Sequence, residues 1–254
     1  MDLRTIDEGS GPPILIVHGG MDDGSAWTRV AARLTPRFRV LRPHRRRYRL
    51  DLTPPATLTE EADDILALAA GLDEPPLLVG HSSGAVVALE AAAAAPRSFA
   101  GLLAYEPPVT VDEPFDQSAL RTARAAVDAG KPGKAVAIFE RDLFGASLAA
   151  ALLFRVVVTA TPRLRAWVPR QIDDLRALDQ LGRRLDTYAT IDLPTVLLGG
   201  QRSPAHLGER IDALLAVMPN ARKVVLAGQA HNANDFAPRA LARIIEEFAV
   251  AVHS

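Results

Sequence analysis

Cysteine is absent from all 254 residues, and that gap removes several chemistries at once. Disulfide bracing, thiol nucleophiles, iron–sulfur clusters and cysteine-ligated zinc each need a residue this chain lacks. Neither sign of charge prevails: 29 Lys and Arg stand against 30 Asp and Glu, for a formal net charge of -1. Without a global field there is no long-range pull on nucleic acid or an anionic membrane. The expected partner is a small, roughly neutral molecule; no nucleic acid or membrane partner is expected, no cofactor or metal is called for, and the oligomeric state is left open. Long apolar runs are missing too. Ala91–Ala95 and Ala146–Val158, the latter broken by Ser147 and Arg155, fall short of the ~20 residues a membrane span requires. The first residues, Met1 to Gly9, lack the basic head and apolar stretch of a signal peptide, so a cytoplasmic location is expected. Internal repeats are absent.

What the chain does have is apolar material, 48% of its residues, enough for a sizeable core. Short apolar runs bounded by Pro and Gly recur at Ile14–Val17, Val40–Leu41, Leu77–Val79, Leu102–Ala104, Val196–Leu198 and Val224–Leu226. They read as buried strands. Segments with helical spacing lie between most of them, at Ala26–Leu34, Leu58–Leu72, Ser83–Ala95, Leu207–Val217 and Pro238–Val252. Such alternation predicts an α/β fold, a mostly parallel twisted sheet with helices on both faces. From Val109 to Leu193 the strand rhythm stops, while Leu120, Ala123, Val127 and later Ile172, Leu175, Leu178 and Leu181 keep helical spacing. Gly130-Lys131-Pro132-Gly133 and Thr161-Pro162 punctuate that stretch. The division predicted is a core of residues 1–108 and 190–254 with an inserted helical cap at 109–189 over the carboxyl edge of the sheet.

Chemistry enters at Gly80-His81-Ser82-Ser83-Gly84, a G-x-S-x-G between an apolar strand and an Ala-rich helix. Gly80 and Gly84 remove side chains where strand and helix approach closely. Ser82 then sits in a strained turn with its hydroxyl exposed, a nucleophile candidate. The plainer readings are an ordinary strand-to-helix turn or a phosphate-binding turn at a helix N-terminus.

Four stretches together resemble the α/β-hydrolase family over nearly the whole chain. They are His18-Gly19-Gly20 with Trp27 downstream; the Ser82 pentapeptide; Pro194 to Gly200; and Gly228-Gln229-Ala230-His231 followed by Phe236-Ala237-Pro238. The resemblance implies an α/β-hydrolase fold with an oxyanion hole formed by the backbone N–H groups of Ser83 and Gly20, with Met21 close by and Gly20 leaving the site open above the nucleophile. It implies His231 as the base. His18 reads as a packed structural histidine, and the side chain of His81 is expected to point away from the reaction.

The chain departs from the family at the acid. Its usual pattern, G-x-x-D-P, is here Gly200-Gln201-Arg202-Ser203-Pro204, and a serine cannot supply the charge that balances an imidazolium. Glu106, at the carboxyl end of the strand after the nucleophile helix, takes the assignment instead. Some α/β-hydrolases place the acid there, and lactonases of the zearalenone-degrading type look similar in this respect. Asp112, Glu113 and Asp235 are the weaker alternatives. Trp167, in the cap, and Met21 are the expected pocket residues, whereas Trp27 reads as core. The run Arg42-Pro43-His44-Arg45-Arg46-Arg47-Tyr48-Arg49 reads as a solvated or salt-bridged rim rather than a nucleic-acid footprint.

The function expected is cofactor-free hydrolysis of a small ester or lactone through a seryl acyl-enzyme, with Ser82, His231 and Glu106 as the triad. Carbon–carbon hydrolysis or lyase chemistry in the same pocket is one alternative. A ligand-binding protein that has lost catalysis is another, suggested by Ser203.

Overall fold

A computed structural model describes residues 3–52, 56–112 and 114–254. Among them, seven strands form one sheet: β1 (Thr5–Glu8), β2 (Pro13–Val17), β3 (Arg39–Pro43), β4 (Leu77–His81), β5 (Gly101–Tyr105), β6 (Thr195–Gly200) and β7 (Ala221–Leu226). Their order is β1-β3-β2-β4-β5-β6-β7; β1 runs antiparallel to β3 and every other pairing is parallel. The central strands β2, β4 and β5 are buried at every position, because helices cover both faces. Alternation splits their side chains between two cores. Leu15, Val17 and Leu78 pack to one side, and Ile14, Ile16, Leu77 and Val79 to the other.

The helices of the core are α1 (Thr28–Leu34), α2 (Leu58–Ala70) and α3 (Ser83–Ala94). Between β5 and β6 the chain adds α4 (Gln117–Asp128), α5 (Pro132–Asp142), α6 (Leu148–Ala160), α7 (Pro162–Leu181) and the short α8 (Leu185–Tyr188). This is the inserted helical cap. The chain closes with α9 (Ala205–Val217), α10 (Ala233–Phe236) and α11 (Pro238–Val252). No helix among the described residues is long and apolar enough to cross a membrane.

Small residues set how closely α3 lies on the sheet. A Cβ at Gly80 would come within 2.5 Å of the Ala85 Cα and 2.8 Å of the Ala88 Cβ, and one at Gly84 would overlap the carbonyl oxygens of Val17 and His18. Those two glycines let the nucleophile turn dock onto β2. One strand differs from expectation: β7 is only partly buried, with Leu226 in the core but Val225 51% exposed. It lies at the sheet edge beyond β6, where only one side has a neighbour, so an apolar run there is half-covered.

Candidate active site

Ser82 sits between the end of β4 and the start of α3 at φ 52° and ψ −128°. Its N–H donates to the Tyr105 carbonyl at 2.9 Å and its carbonyl accepts from the Ala85 N–H at 2.8 Å, so the turn is held from both sides. Among the described residues, the non-glycine residues at positive φ are Met21, Ser82 and Glu106. Each such conformation costs on the order of 1–3 kcal/mol and persists only where its surroundings enforce it. All three belong to one neighbourhood. A Cβ at Gly19 would lie 3.1 Å from the Ser82 Cβ, which shows how tightly the β2 loop passes the serine.

His231 lies on the loop between β7 and α10, and its Nδ1 stands 2.6 Å from Glu106 Oε2. Glu106 is buried just after β5, at a positive φ. Its other oxygen, Oε1, accepts from the Gly200 N–H at 2.7 Å. Burial alone would raise this carboxyl, but the hydrogen bond and charge of His231, with the Ser203 hydroxyl and the Gly200 N–H, hold it below the ordinary value. A carboxylate at Nδ1 keeps the proton on that nitrogen and leaves Nε2 free to accept. Ser203 Oγ itself is buried without a partner at hydrogen-bonding geometry. Asp235 is engaged elsewhere: its carbonyl accepts from Arg29 and its carboxylate faces Asn234. Glu113 lies outside the described residues.

Two residues from neighbouring strand ends hold the histidine loop. His81 Nε2 is 2.9 Å from the His231 carbonyl, and the Tyr105 hydroxyl donates to the Ala230 carbonyl. The rings of His81 and Tyr105 stack at 4.9 Å, and Trp27 meets His81 edge-on at 5.7 Å. Burial, reinforced by the charge of His231, pushes His81 well below its ordinary value, so it is a neutral donor. Its position beside Ser82 was the only sequence signal for this support.

A second set of contacts builds the corner beneath Ser83. As the first residue of α3, Ser83 has an N–H without an intrahelical acceptor. Its hydroxyl accepts from Arg45 Nη1 at 2.7 Å. Arg45 also binds Glu61 at 2.7 Å and Asp174 at 3.2 Å, and Arg47 reaches Asp174 at 3.1 Å. The Tyr48 hydroxyl lies 2.8 Å from both Asp174 Oδ2 and the side-chain amide of Gln171. Burial would raise Asp174, but the Arg45 and Arg47 charges outweigh it and hold the carboxyl below its ordinary range. His18 completes the corner: its Nε2 accepts from the Arg45 N–H at 3.0 Å, so Nδ1, 2.7 Å from the Gly19 carbonyl, carries the proton.

This corner corrects one expectation. The arginine run is salt-bridged but not a solvated rim, since Arg42, Arg45 and Arg47 are at most 3% exposed. A Cβ at Gly20 would overlap Gln171 Oε1. Helix α7 lays its polar residues into the cleft and fills that position. Neither Arg45 nor Gln171 had a motif to mark it in the sequence.

Ser82 and His231 open onto one cavity of about 540 Å³, which Gly20 and Met21 also line. Phe115, Phe139, Leu143, Phe144 and Leu207 give it an apolar wall; Gln171, Arg202, His206 and Arg210 supply the polar groups. Trp167 does not line it, which corrects the pocket role expected of that residue. Its buried indole donates to the Tyr48 carbonyl at 2.9 Å and lies under the Arg163 guanidinium at 4.6 Å, facing a separate cleft with His44 and Asp51. It lies one helical turn before Gln171 along α7.

The family model described as "Alpha/beta hydrolase family" matches residues 14–244. A 2-(acetamidomethylene)succinate hydrolase from Mesorhizobium japonicum is 25% identical over 256 residues, covering 97% of this chain and 91% of that protein. A pimeloyl-[acyl-carrier protein] methyl ester esterase from Methylococcus capsulatus is 38% identical over 107 residues, 40% of this chain and 39% of that one. Among solved structures, an α/β hydrolase from Sphaerobacter thermophilus superposes with a TM-score of 0.82 at 29% identity, covering 96% of this chain and 95% of that one. With the family model spanning most of the fold, the chain belongs to the α/β-hydrolase family.

Proposed function

We propose that this protein is a carboxylic ester hydrolase that cleaves a small ester or lactone through a seryl acyl-enzyme. One observation carries the reading. Ser82, in its strained turn, and His231, bonded to Glu106 at 2.6 Å, face the same cavity. In this reading Ser82 Oγ attacks the carbonyl carbon while His231 Nε2 takes its proton. The tetrahedral oxyanion receives the N–H groups of Gly20 and Ser83, each worth roughly 3 kcal/mol in comparable enzymes. His231 then returns the proton to the leaving alkoxide, and a water molecule repeats the sequence on the acyl-enzyme. Glu106 holds the imidazole in the right tautomer and balances the imidazolium.

The relatives named as a methyl ester esterase and as a 2-(acetamidomethylene)succinate hydrolase support the reaction class. The Glu106–His231 contact supports Glu106 as the acid, since it puts a carboxylate at His231 where the late Asp is missing. A fluorophosphonate probe tests the reading directly. Wild type should gain the probe's mass at Ser82 and hydrolyse 4-nitrophenyl esters, and Ser82→Ala should do neither while keeping its circular dichroism spectrum. An unlabelled, inactive and folded wild type would favour a pocket that only binds.

A further inference from the structure

The substrate cavity carries charge of one sign. Its lining includes Arg202 and Arg210, together with His206, and no Asp or Glu. A chain with a net charge of -1 has acids to spare, and most arginines near the site use them: Arg45 and Arg47 pair with Glu61 and Asp174, and Arg46 with Asp64. Arg210 pairs with no carboxylate among the described residues. Its Nε donates to the Val109 carbonyl at 2.9 Å, and its Cζ lies 5.7 Å from the centre of the Phe115 ring. Those contacts fix the guanidinium plane and use its Nε edge. The end formed by Nη1 and Nη2 has no partner among the described residues.

A half-buried guanidinium in a mostly apolar pocket costs desolvation, which the nearby Glu209 charge and the Val109 contact offset only in part. Burial pushes Arg210 below its ordinary value, the direction of an under-compensated cation. The group that best matches the free end is a planar carboxylate, which accepts two parallel N–H bonds from one guanidinium. The cavity shared by Arg210 and Ser82 also has the apolar side chains of Phe115, Phe139, Leu143 and Phe144 in its wall, suited to methylene groups. We infer that the cavity takes a carboxylate-bearing ester, a monoester of a short dicarboxylic acid, with the ester carbonyl at Ser82 and the free carboxylate on Arg210. The inference rests on the hydrolase reading above for the reacting end only. It revises the roughly neutral partner expected from net charge, because a balanced chain can still concentrate one sign in a cavity.

The test compares two 4-nitrophenyl esters of matched length, the monoester of adipic acid and the hexanoate, on the full-length protein. Wild type should prefer the acidic ester by about 10- to 100-fold in kcat/KM, mostly through KM, as one charge-assisted pair allows. Arg210→Met should collapse that ratio towards one, Arg210→Lys should keep part of it, and Arg202→Gln should reduce it less. A wild-type ratio near one, or a ratio that survives Arg210→Met, overturns the proposal. Adipate itself, titrated calorimetrically, separates this outcome from failure of the hydrolase reading. Binding by wild type that Arg210→Met abolishes supports carboxylate recognition even in a protein that cleaves neither ester. No binding by a wild type that still hydrolyses the hexanoate overturns it. Thermal melts of each variant check that the lost Val109 contact has not unfolded the protein; Arg210→Lys serves if Arg210→Met has.

Discussion

Arg45 donates from Nη1 to the Ser83 hydroxyl at 2.7 Å, joining residues 38 positions apart. The same guanidinium holds Glu61 on α2 and Asp174 on α7, so one buried cation ties the core, the cap and the residue after the nucleophile together. Removing one partner of such a cluster strands the other charges out of water, which costs more than the cluster itself contributes. Arg45→Met should therefore lower unfolding stability by about 3–5 kcal/mol in urea titrations. Arg45→Lys should lose less. A loss under ~1 kcal/mol for Arg45→Met would mean that Glu61 and Asp174 find other partners.

Glu106 and Ser203 make a direct comparison. With Glu106 as the acid, Glu106→Gln keeps the shape but removes the balancing charge, and kcat should fall by up to roughly 10³–10⁴-fold by analogy with other triads. Ser203→Ala should change little, because the carboxylate keeps its contacts with His231 and the Gly200 N–H. Equal, small effects on one substrate would place the acid elsewhere.

The same carboxylate predicts an acid limb in stability. Its folded value lies below the ordinary 4.5, so the stabilisation is present above about pH 4.5 and is lost as pH falls through the lower folded value. Melting temperatures of wild type should drop in that window more steeply than those of Glu106→Gln. Parallel curves would count against the ion pair.

Glu140, on α5, shifts the opposite way. Burial raises its carboxyl to about 7, against which the charge of His231 acts. Between pH 4.5 and 7 the unfolded chain has ionised this group while the folded one has not, so stability falls as pH rises and the penalty is complete above about 7. Glu140→Gln should match wild type near pH 4.5 and melt a few degrees higher at pH 8. An unchanged difference across that range would refute the shift.

Two glycines give contrasting steric predictions. Gly84→Ala drives a Cβ into backbone oxygens of β2 that cannot move independently, and should cost at least about 1–3 kcal/mol. Gly208, inside α9, has open space around its missing Cβ and no positive φ, so Gly208→Ala should stabilise by about 0.5–1 kcal/mol. Denaturant midpoints of the two variants should move in opposite directions.

What the sequence determined by itself is local. The apolar runs at Ile14–Val17, Leu77–Val79 and Leu102–Ala104 declare buried parallel strands, since a strand covered on both faces needs no polar positions. Gly80 and Gly84 mark the turn that carries Ser82, because their missing side chains are a property of adjacent residues. The cap announced itself where strand periodicity stopped. Only the tertiary structure decided what each element faces. Val224–Leu226 has the composition of a buried strand yet lies at the edge; Arg45 and Arg47 look like surface residues yet are buried against Glu61 and Asp174. Gln171 rather than Trp167 enters the pocket, one helical turn along α7. The meeting of Glu106 with His231 spans 125 positions. The physical reason is the same in each case: propensity and periodicity act over a few residues, whereas burial, charge pairing and pocket lining depend on which distant surfaces close over one another.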